Sequence, residues 1–116
     1  MNTTESGRTA EGQVAEYLIK QKYKIIDRNW RNRYCEIDIV AKKDPTVYFV
    51  EVKYRSSDEY GGGMAAINRA KIHRMSRAAE YWVVSNDYDG PYELMAAEIN
   101  SIGEIILVNL YDSGSY

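Results

Sequence analysis

Two runs of β-branched and aromatic residues, separated by a short turn sequence, most constrain the fold of this 116-residue chain. They flank the sequence Lys42-Lys43-Asp44-Pro45, and such runs on either side of turn residues are typical of a β-hairpin. The middle of each run is apolar on both sides, which is the pattern of strands that are covered on both faces of a sheet. The segment 34–55 is therefore predicted to form two buried strands joined by a turn.

Charged residues interrupt the first of these strands. Side chains alternate across a strand, so Glu36, Asp38 and Val40 are predicted to share one face, while Ile37 and Ile39 share the other. The alternation predicts that the Asp38 carboxylate points toward a covered face of the sheet. A carboxylate in such a position is costly unless it is paired or binds a metal.

The second strand carries Glu51 and Lys53 on one face. Together with Asp38 from the neighbouring strand, they bring two carboxylates and an ammonium group close together. Mg²⁺ is usually bound by one or two carboxylates together with phosphate oxygens, so one interpretation is a metal site for phosphodiester chemistry. The other is an ordinary ion pair between Glu51 and Lys53.

The composition excludes several other kinds of site. A single cysteine, Cys35, rules out an intrachain disulfide and a cysteine-based zinc cluster, and a single histidine, His73, rules out a paired-histidine metal site. His73 is expected on the surface. The sequence has no apolar run of membrane-spanning length and no signal-like N-terminus. We expect a cytoplasmic protein without a membrane partner, folded as one domain over residues 1–116.

The charges are distributed unevenly. All 15 lysines and arginines lie at or before Arg77, where the net charge is +5, and the remainder contains seven acids and no base. This asymmetry is compatible with a basic face for a polyanion, and equally with a solvated acidic tail.

The rest of the chain supplies the elements around the hairpin. Helices are predicted over residues 7–21 and 64–84, and further strands over 23–29, 92–99 and 104–111. The order is therefore α-β-β-β-α-β-β. Glu11 lies at the margin of the apolar stripe of the first helix, and Lys71 interrupts the stripe of the second. Lys71 is expected either to extend outward to solvent or to reach a phosphate.

Three arginines, Arg28, Arg31 and Arg33, surround Trp30 just before the hairpin. Basic side chains next to an aromatic ring are suited to contact with nucleic acid. The alternative is a solvated loop with Trp30 packed onto the core.

Several motifs together resemble the YraN family of uncharacterised bacterial proteins, which is similar to Holliday-junction resolvases and to the PD-(D/E)xK restriction-type nucleases. The resemblance covers about residues 7 to 83. The motifs are Gly7-Arg8-Thr9-Ala10-Glu11, Tyr17-Leu18, Asn29-Trp30-Arg31, Glu36-Ile37-Asp38-Ile39-Val40-Ala41 and Phe49-Val50-Glu51-Val52-Lys53-Tyr54-Arg55.

The resemblance implies an α/β fold with a restriction-endonuclease-like core, in which helices flank a mixed central sheet. It implies that Asp38 and Glu51 hold Mg²⁺, or Mn²⁺, with the backbone carbonyl of Val52 as a further ligand. Lys53 would orient or activate the attacking water, and Glu11 matches the helix glutamate of resolvase-like members.

The chain departs from the family pattern at two positions. Cys35 stands where relatives usually have glycine, and it is expected to point away from Asp38. Glu93 stands in place of the aspartate that the family pattern has in the fourth strand.

Three functional hypotheses follow. The first is a Mg²⁺-dependent DNA endonuclease, with branched DNA as a candidate substrate, in which basic side chains position the DNA backbone: Arg28, Arg31, Arg33, Arg55 and Lys71. The second is a catalytically silent module of the same fold that binds nucleic acid or a protein partner. The third is a homodimer formed through the tyrosine-rich acidic end, with a merely structural carboxylate cluster.

Overall fold

The computed structural model describes residues 3–54 and 69–110, with side chains from Ala10 onward. The elements are α1 (Thr3–Lys20), β1 (Lys24–Arg31), β2 (Glu36–Lys43), β3 (Thr46–Tyr54), α2 (Arg69–Ser85), β4 (Tyr92–Ile99) and β5 (Ile105–Asn109). This order confirms the predicted α-β-β-β-α-β-β arrangement. Arg55, the predicted helical residues 64–68 and Tyr111 lie outside the described residues.

The five strands form a single mixed sheet in the order β1-β2-β3-β4-β5. The pairs β1–β2, β2–β3 and β4–β5 are antiparallel, whereas β3 and β4 are parallel. A parallel pair requires the chain to return to the starting end of the sheet, and α2 lies in that connection. The helices thereby flank the sheet, as the fold prediction required.

Each face of the sheet has its own hydrophobic cluster. On the α1 face, Val14 and Leu18 pack with the sheet residues Ile39, Val50 and Ala97. The helix residues are four positions apart and so share one side of α1, as the stripe in the sequence predicted.

On the α2 face, Met75 and Trp82 pack with Val40, Phe49 and Leu94. Both central strands therefore contribute side chains to two buried clusters, which explains why their sequences are apolar on both sides. Within the described residues, no helix is both long and apolar enough to cross a membrane.

The alternation predicted for β2 is wrong at Ile37. Ile39 packs on the α1 face, but Ile37 packs on the α2 face together with Val40. The irregularity coincides with Asn29 on the neighbouring strand, which lies between the pairs Arg28–Ile39 and Trp30–Ile37 and has a φ of 56°. A left-handed residue interrupts the regular extended geometry of β1 at this level, while the pairing register continues across it and shifts only between Ile25 and Asp27.

Replacement of Phe49 by alanine should test the α2-face cluster. The Phe49 ring is fully buried and lies edge-to-face with Trp82 and Tyr92, at centroid distances of 5.5 and 5.8 Å. Because Phe49→Ala leaves a cavity, it should lower the free energy of unfolding by about 3–5 kcal/mol in urea denaturation. Val84→Ala is the control, since Val84 is 80% exposed, and it should change stability by less than about 0.5 kcal/mol. Similar values for the two variants would contradict this packing.

Candidate metal and nucleic-acid site

Asp38 lies where β2 separates from β3. The paired register of these strands ends at Ile39 and Val50. Beyond this pair, the amide of Val52 donates a 2.8 Å hydrogen bond to Oδ2 of Asp38. If β2 continued to pair with β3, a main-chain carbonyl of β2 would accept this hydrogen bond. Oδ2 of Asp38 accepts it here, so the amide of Val52 is not left without a partner. This bond fixes the Asp38 carboxylate against β3.

Glu51 is the carboxylate that approaches Asp38 from β3. It is one residue beyond Val50, on the face of the sheet that carries Phe49 and α2. Its Oε1 lies 3.7 Å from Nζ of Lys71, and the two side chains are 13% and 25% exposed. The ion pair found for Glu51 is therefore with Lys71 of α2 and not with Lys53. Lys71 is thus directed toward the carboxylate site, and its predicted contact with a phosphate stays a prediction.

The environment of Asp38 disfavours its ionised form. Burial raises the pKa of Asp38 to about 7, and the negative charge of Glu51 acts in the same direction. The hydrogen bond from Val52 opposes this increase, while Glu11 and Glu36 add smaller contributions that raise the pKa. A buried carboxylate next to a second one needs a proton or a cation to lower its electrostatic energy.

Glu11 approaches the site from α1. Its Oε1 lies 3.6 Å from a guanidinium nitrogen of Arg28, and its side chain is 19% exposed. With the amide nitrogen of Asn29 turned toward it, Asn29 donates to both carboxylate oxygens at 3.2 Å. The first helix thus supplies Glu11, whose negative charge helps to raise the pKa of Asp38. Glu11 also forms an ion pair with Arg28.

Lys53 is half-buried on β3, in register with Glu98 of the parallel strand β4. Glu98 is 3% exposed and follows Ala96 and Ala97, which are both fully buried. The sequence analysis did not select Glu98. Its position as a charge within an apolar strand was the available signal, but the register between β3 and β4 was needed to place it beside Lys53.

Glu93, which the sequence analysis selected in the fourth strand, lies elsewhere. It is in register with Tyr48, whereas Glu51 is in register with Ala96, three positions further along β4. The Glu93 carboxylate accepts a hydrogen bond from the side-chain amide of Asn109, and its charge helps to raise the pKa of Tyr23, after burial and Tyr48. Glu93 is therefore part of the α1-face environment and not of the carboxylate site.

Cys35 does not point away from the site, contrary to expectation. It packs against the α2-face cluster, which is the face that carries Glu51. Burial raises the pKa of its thiol, and the charges of Lys71, Glu51, Arg74 and Asp38 also act on it. Cys35 precedes β2, which begins at Glu36, so the alternation of side chains along a strand does not determine where Cys35 lies.

The predicted nucleic-acid contacts occupy different environments. Arg31 is 74% exposed on its side chain and lies 3.7 Å from Glu36. The guanidinium of Arg33 lies 5.9 Å from the ring centroid of Tyr34. Trp30 packs against the α2-face cluster, as the alternative interpretation of that segment predicted. His73 is exposed, as expected.

The donor set suits Mg²⁺ better than a metal that needs many protein ligands. Among the side chains of residues 10–54 and 69–110, no three histidines, cysteines or acids form a metal-binding group. Asp38 and Glu51 nevertheless offer two hard oxygen donors whose mutual repulsion a cation would relieve. Mg²⁺ typically uses one or two protein carboxylates and keeps water or phosphate oxygens in its remaining positions. The residues present therefore fit this cation.

Comparison with known proteins gives a consistent family. The model of the uncharacterised protein family UPF0102 matches residues 10–107. A UPF0102 protein of Fusobacterium nucleatum is 42% identical over 88 residues, covering 76% of this chain and 74% of the relative. A relative from Nitrosomonas europaea is 39% identical over 94 residues (81% and 80% coverage), and one from Nitrosomonas eutropha is 34% identical over 114 residues (97% and 98%). The matched region includes Glu11, Asp38, Glu51, Lys53 and Glu98.

The pH dependence of stability should reveal the raised pKa of Asp38. The ordinary value is 3.8 and the folded value about 7, so the folded protein binds more protons than the unfolded chain between these values. The Asp38 contribution to the free energy of unfolding must then fall as the pH rises through this window. Asp38→Asn keeps a hydrogen-bond acceptor for Val52 but cannot ionise. In metal-free buffer, urea denaturation should show Asp38→Asn gaining stability relative to wild type from about pH 4 to about pH 7.

The matched control for this titration is Asp44→Asn, because the Asp44 side chain is 88% exposed. Its stability difference from wild type should stay nearly constant over the same pH range. A constant difference for Asp38→Asn as well would show that Asp38 is not a protonated, buried acid in the folded protein.

Proposed function

The chain belongs to the UPF0102 family of uncharacterised proteins, and we propose that it is a Mg²⁺-dependent DNA endonuclease that hydrolyses phosphodiester bonds. The membership confirms the YraN-like resemblance seen in the motifs. The observation that carries the proposal is the placement of the partly buried carboxylates of Asp38 and Glu51 close enough to raise the pKa of Asp38. Branched DNA is the candidate substrate, and Mn²⁺ is the alternative cation.

Asp38 and Glu51 would hold the cation, with the carbonyl of Val52 as a further ligand. When bound, Mg²⁺ lowers the pKa of a coordinated water and stabilises negative charge on phosphate. Lys53 lies next to Val52 on β3 and would orient the attacking water and donate to a phosphate oxygen. Glu11 supports the site from α1, where it fixes Arg28 and Asn29 next to the level of Asp38.

Basic side chains around the carboxylates would position the DNA backbone. Arg31 is highly exposed, and its contact with Glu36 is an exposed ion pair, which contributes little to stability and leaves the arginine available. Arg28 and Lys71 already lie against acids of the site, so they would approach phosphates only near the scissile bond. Arg33 would contact phosphate further along the strand, and Arg55 is assigned the same role from the sequence.

A catalytically silent nucleic-acid-binding or partner-binding module is the second candidate. The ion pair between Lys71 and Glu51 favours it, because an internal ammonium group already neutralises one of the two carboxylates. This alternative predicts binding that weakens steeply with salt and that requires the arginines but not Asp38 or Glu51.

Cleavage assays on matched variants test the endonuclease. Purified protein is incubated with single-stranded, duplex and four-way-junction DNA in Mg²⁺ or Mn²⁺. Wild type should cleave at least one substrate, and Asp38→Asn and Glu51→Gln should each reduce the rate by about 100-fold or more, since each removes a carboxylate that would hold the cation, and the cation stabilises the charge of the transition state. Asp44→Asn preserves the site and should cleave at the wild-type rate.

Two results would contradict the endonuclease. The first is cleavage that survives both Asp38→Asn and Glu51→Gln, which would indicate a contaminating nuclease or another site. The second is the absence of cleavage on all three substrates with either cation. Salt-sensitive binding in that second case, weakened by Arg31→Ala but not by Asp38→Asn, would favour the silent module.

A further inference from the structure

A shallow pocket of about 270 Å³ lies on the α2 side of the molecule, outside the carboxylate site. It is lined by Tyr34, Arg77, Glu80, Tyr81 and Val84. Tyr34 comes from the segment that leads into β2, and the other four residues lie on successive turns of α2. The proposed chemistry at Asp38 and Glu51 uses none of these residues.

The pocket combines aromatic rings with cations. The guanidinium carbon of Arg77 lies 4.9 Å from the ring centroid of Tyr34, and that of Arg33 lies 5.9 Å from the same centroid. Tyr81 packs at a tilt against Trp30, with a centroid distance of 6.3 Å. The Tyr81 side of the pocket remains open, because Tyr81 is 48% exposed and Val84 is 80% exposed.

We propose that this pocket binds one unpaired base of a single-stranded nucleic-acid segment. Proteins that bind single strands combine aromatic rings, on which bases stack, with basic groups that follow the backbone. Tyr81 supplies the exposed stacking surface, and Arg33 and Arg77 supply charges for the flanking phosphates. Glu80 supplies a carboxylate that can accept a hydrogen bond from the exocyclic amine of a base.

The size and charge of the pocket favour this occupant. Its volume is slightly below the roughly 300–1,000 Å³ of pockets that bury drug-sized ligands, which suits a single base better than a large cofactor. The exposed basic residues of α2 alone would suit either a nucleic acid or an acid-rich surface of a second copy of the chain. Tyr81 favours the nucleic acid, because it adds a ring on which a base can stack. These basic residues are Arg69, His73, Arg74 and Arg77.

The position of the pocket connects it to the carboxylates. Trp30, which packs against Tyr81, is in register with Ile37, the residue that precedes Asp38 on β2. A strand whose base stacks on Tyr81 would therefore run toward the carboxylate site. This inference rests on the proposed function, because it specifies a substrate with unpaired nucleotides next to the bond that is cleaved. Stacking of the base on Tyr81 requires no metal.

Binding of a single-stranded oligonucleotide that contains one 2-aminopurine tests the pocket directly. The titration is done in EDTA at fixed salt, so that no metal-dependent step contributes. Wild type should quench the 2-aminopurine fluorescence through stacking. Tyr81→Ala should weaken binding by at least about fivefold, the lower end of the cost of one lost stacking contact.

Two further variants make the test specific. Tyr81→Phe keeps the ring and should bind like wild type, whereas Val84→Glu places a negative charge at the open edge and should weaken binding without touching the core. Ile102→Ala is the control, since Ile102 is 78% exposed in the turn between β4 and β5, and it should not change binding. Circular dichroism verifies that each variant is folded.

Unchanged binding in Tyr81→Ala, or binding by wild type without quenching, would overturn the base pocket. So would a loss of self-association in Tyr81→Ala, measured by sedimentation, because the pocket would then be an interface between copies of the chain. The two proposals fail separately: normal quenching without cleavage of any DNA contradicts the endonuclease and supports the pocket, whereas metal-dependent cleavage with no effect of Tyr81→Ala on binding contradicts the pocket alone.

Discussion

The hydrogen bond from the Val52 amide to the Asp38 carboxylate determines the geometry on which the candidate site depends. It replaces main-chain pairing at the point where β2 leaves β3. Because the bond lets the strands separate without leaving the amide unsatisfied, it places an acid from β2 at the level of Glu51. The two helix-covered faces of the sheet hold both strands in position. The site is thus a consequence of how the pairing of β2 with β3 ends.

Electrostatics at this position oppose the stability of the folded protein and support the proposal of a bound cation. The raised pKa of Asp38 means that its ionised form is unfavourable in the folded protein, with burial as the main cause and Glu51 as the main charge. Lys71 next to Glu51 and Arg28 next to Glu11 compensate part of this cost. Natural proteins break local rules of burial mainly at functional sites. Acids whose charges are only partly compensated within the protein support the proposal that this site binds a cation.

The sequence predicted the helices, the strands and their order because hydrophobic periodicity and turn residues report local structure directly. It also selected Asp38, Glu51 and Lys53, since charges inside apolar strands are conspicuous without coordinates. It could not place Glu98 beside Lys53, because that neighbour depends on a parallel register between strands separated by a helix. It misplaced Ile37 because alternation assumes a regular pleat, which the left-handed Asn29 interrupts on the neighbouring strand. It misplaced Cys35 because that residue precedes β2.

The central claim is that Asp38 and Glu51 bind the same divalent cation. A crystal structure of the wild-type protein grown with Mn²⁺, with diffraction data collected to record the anomalous signal of manganese, tests it most directly. The claim predicts an anomalous peak within coordination distance of one carboxylate oxygen from each residue, with Lys71 displaced from Glu51. A peak that contacts neither carboxylate, or a saturated crystal in which Lys71 still pairs with Glu51 and no peak lies between the two acids, would contradict it.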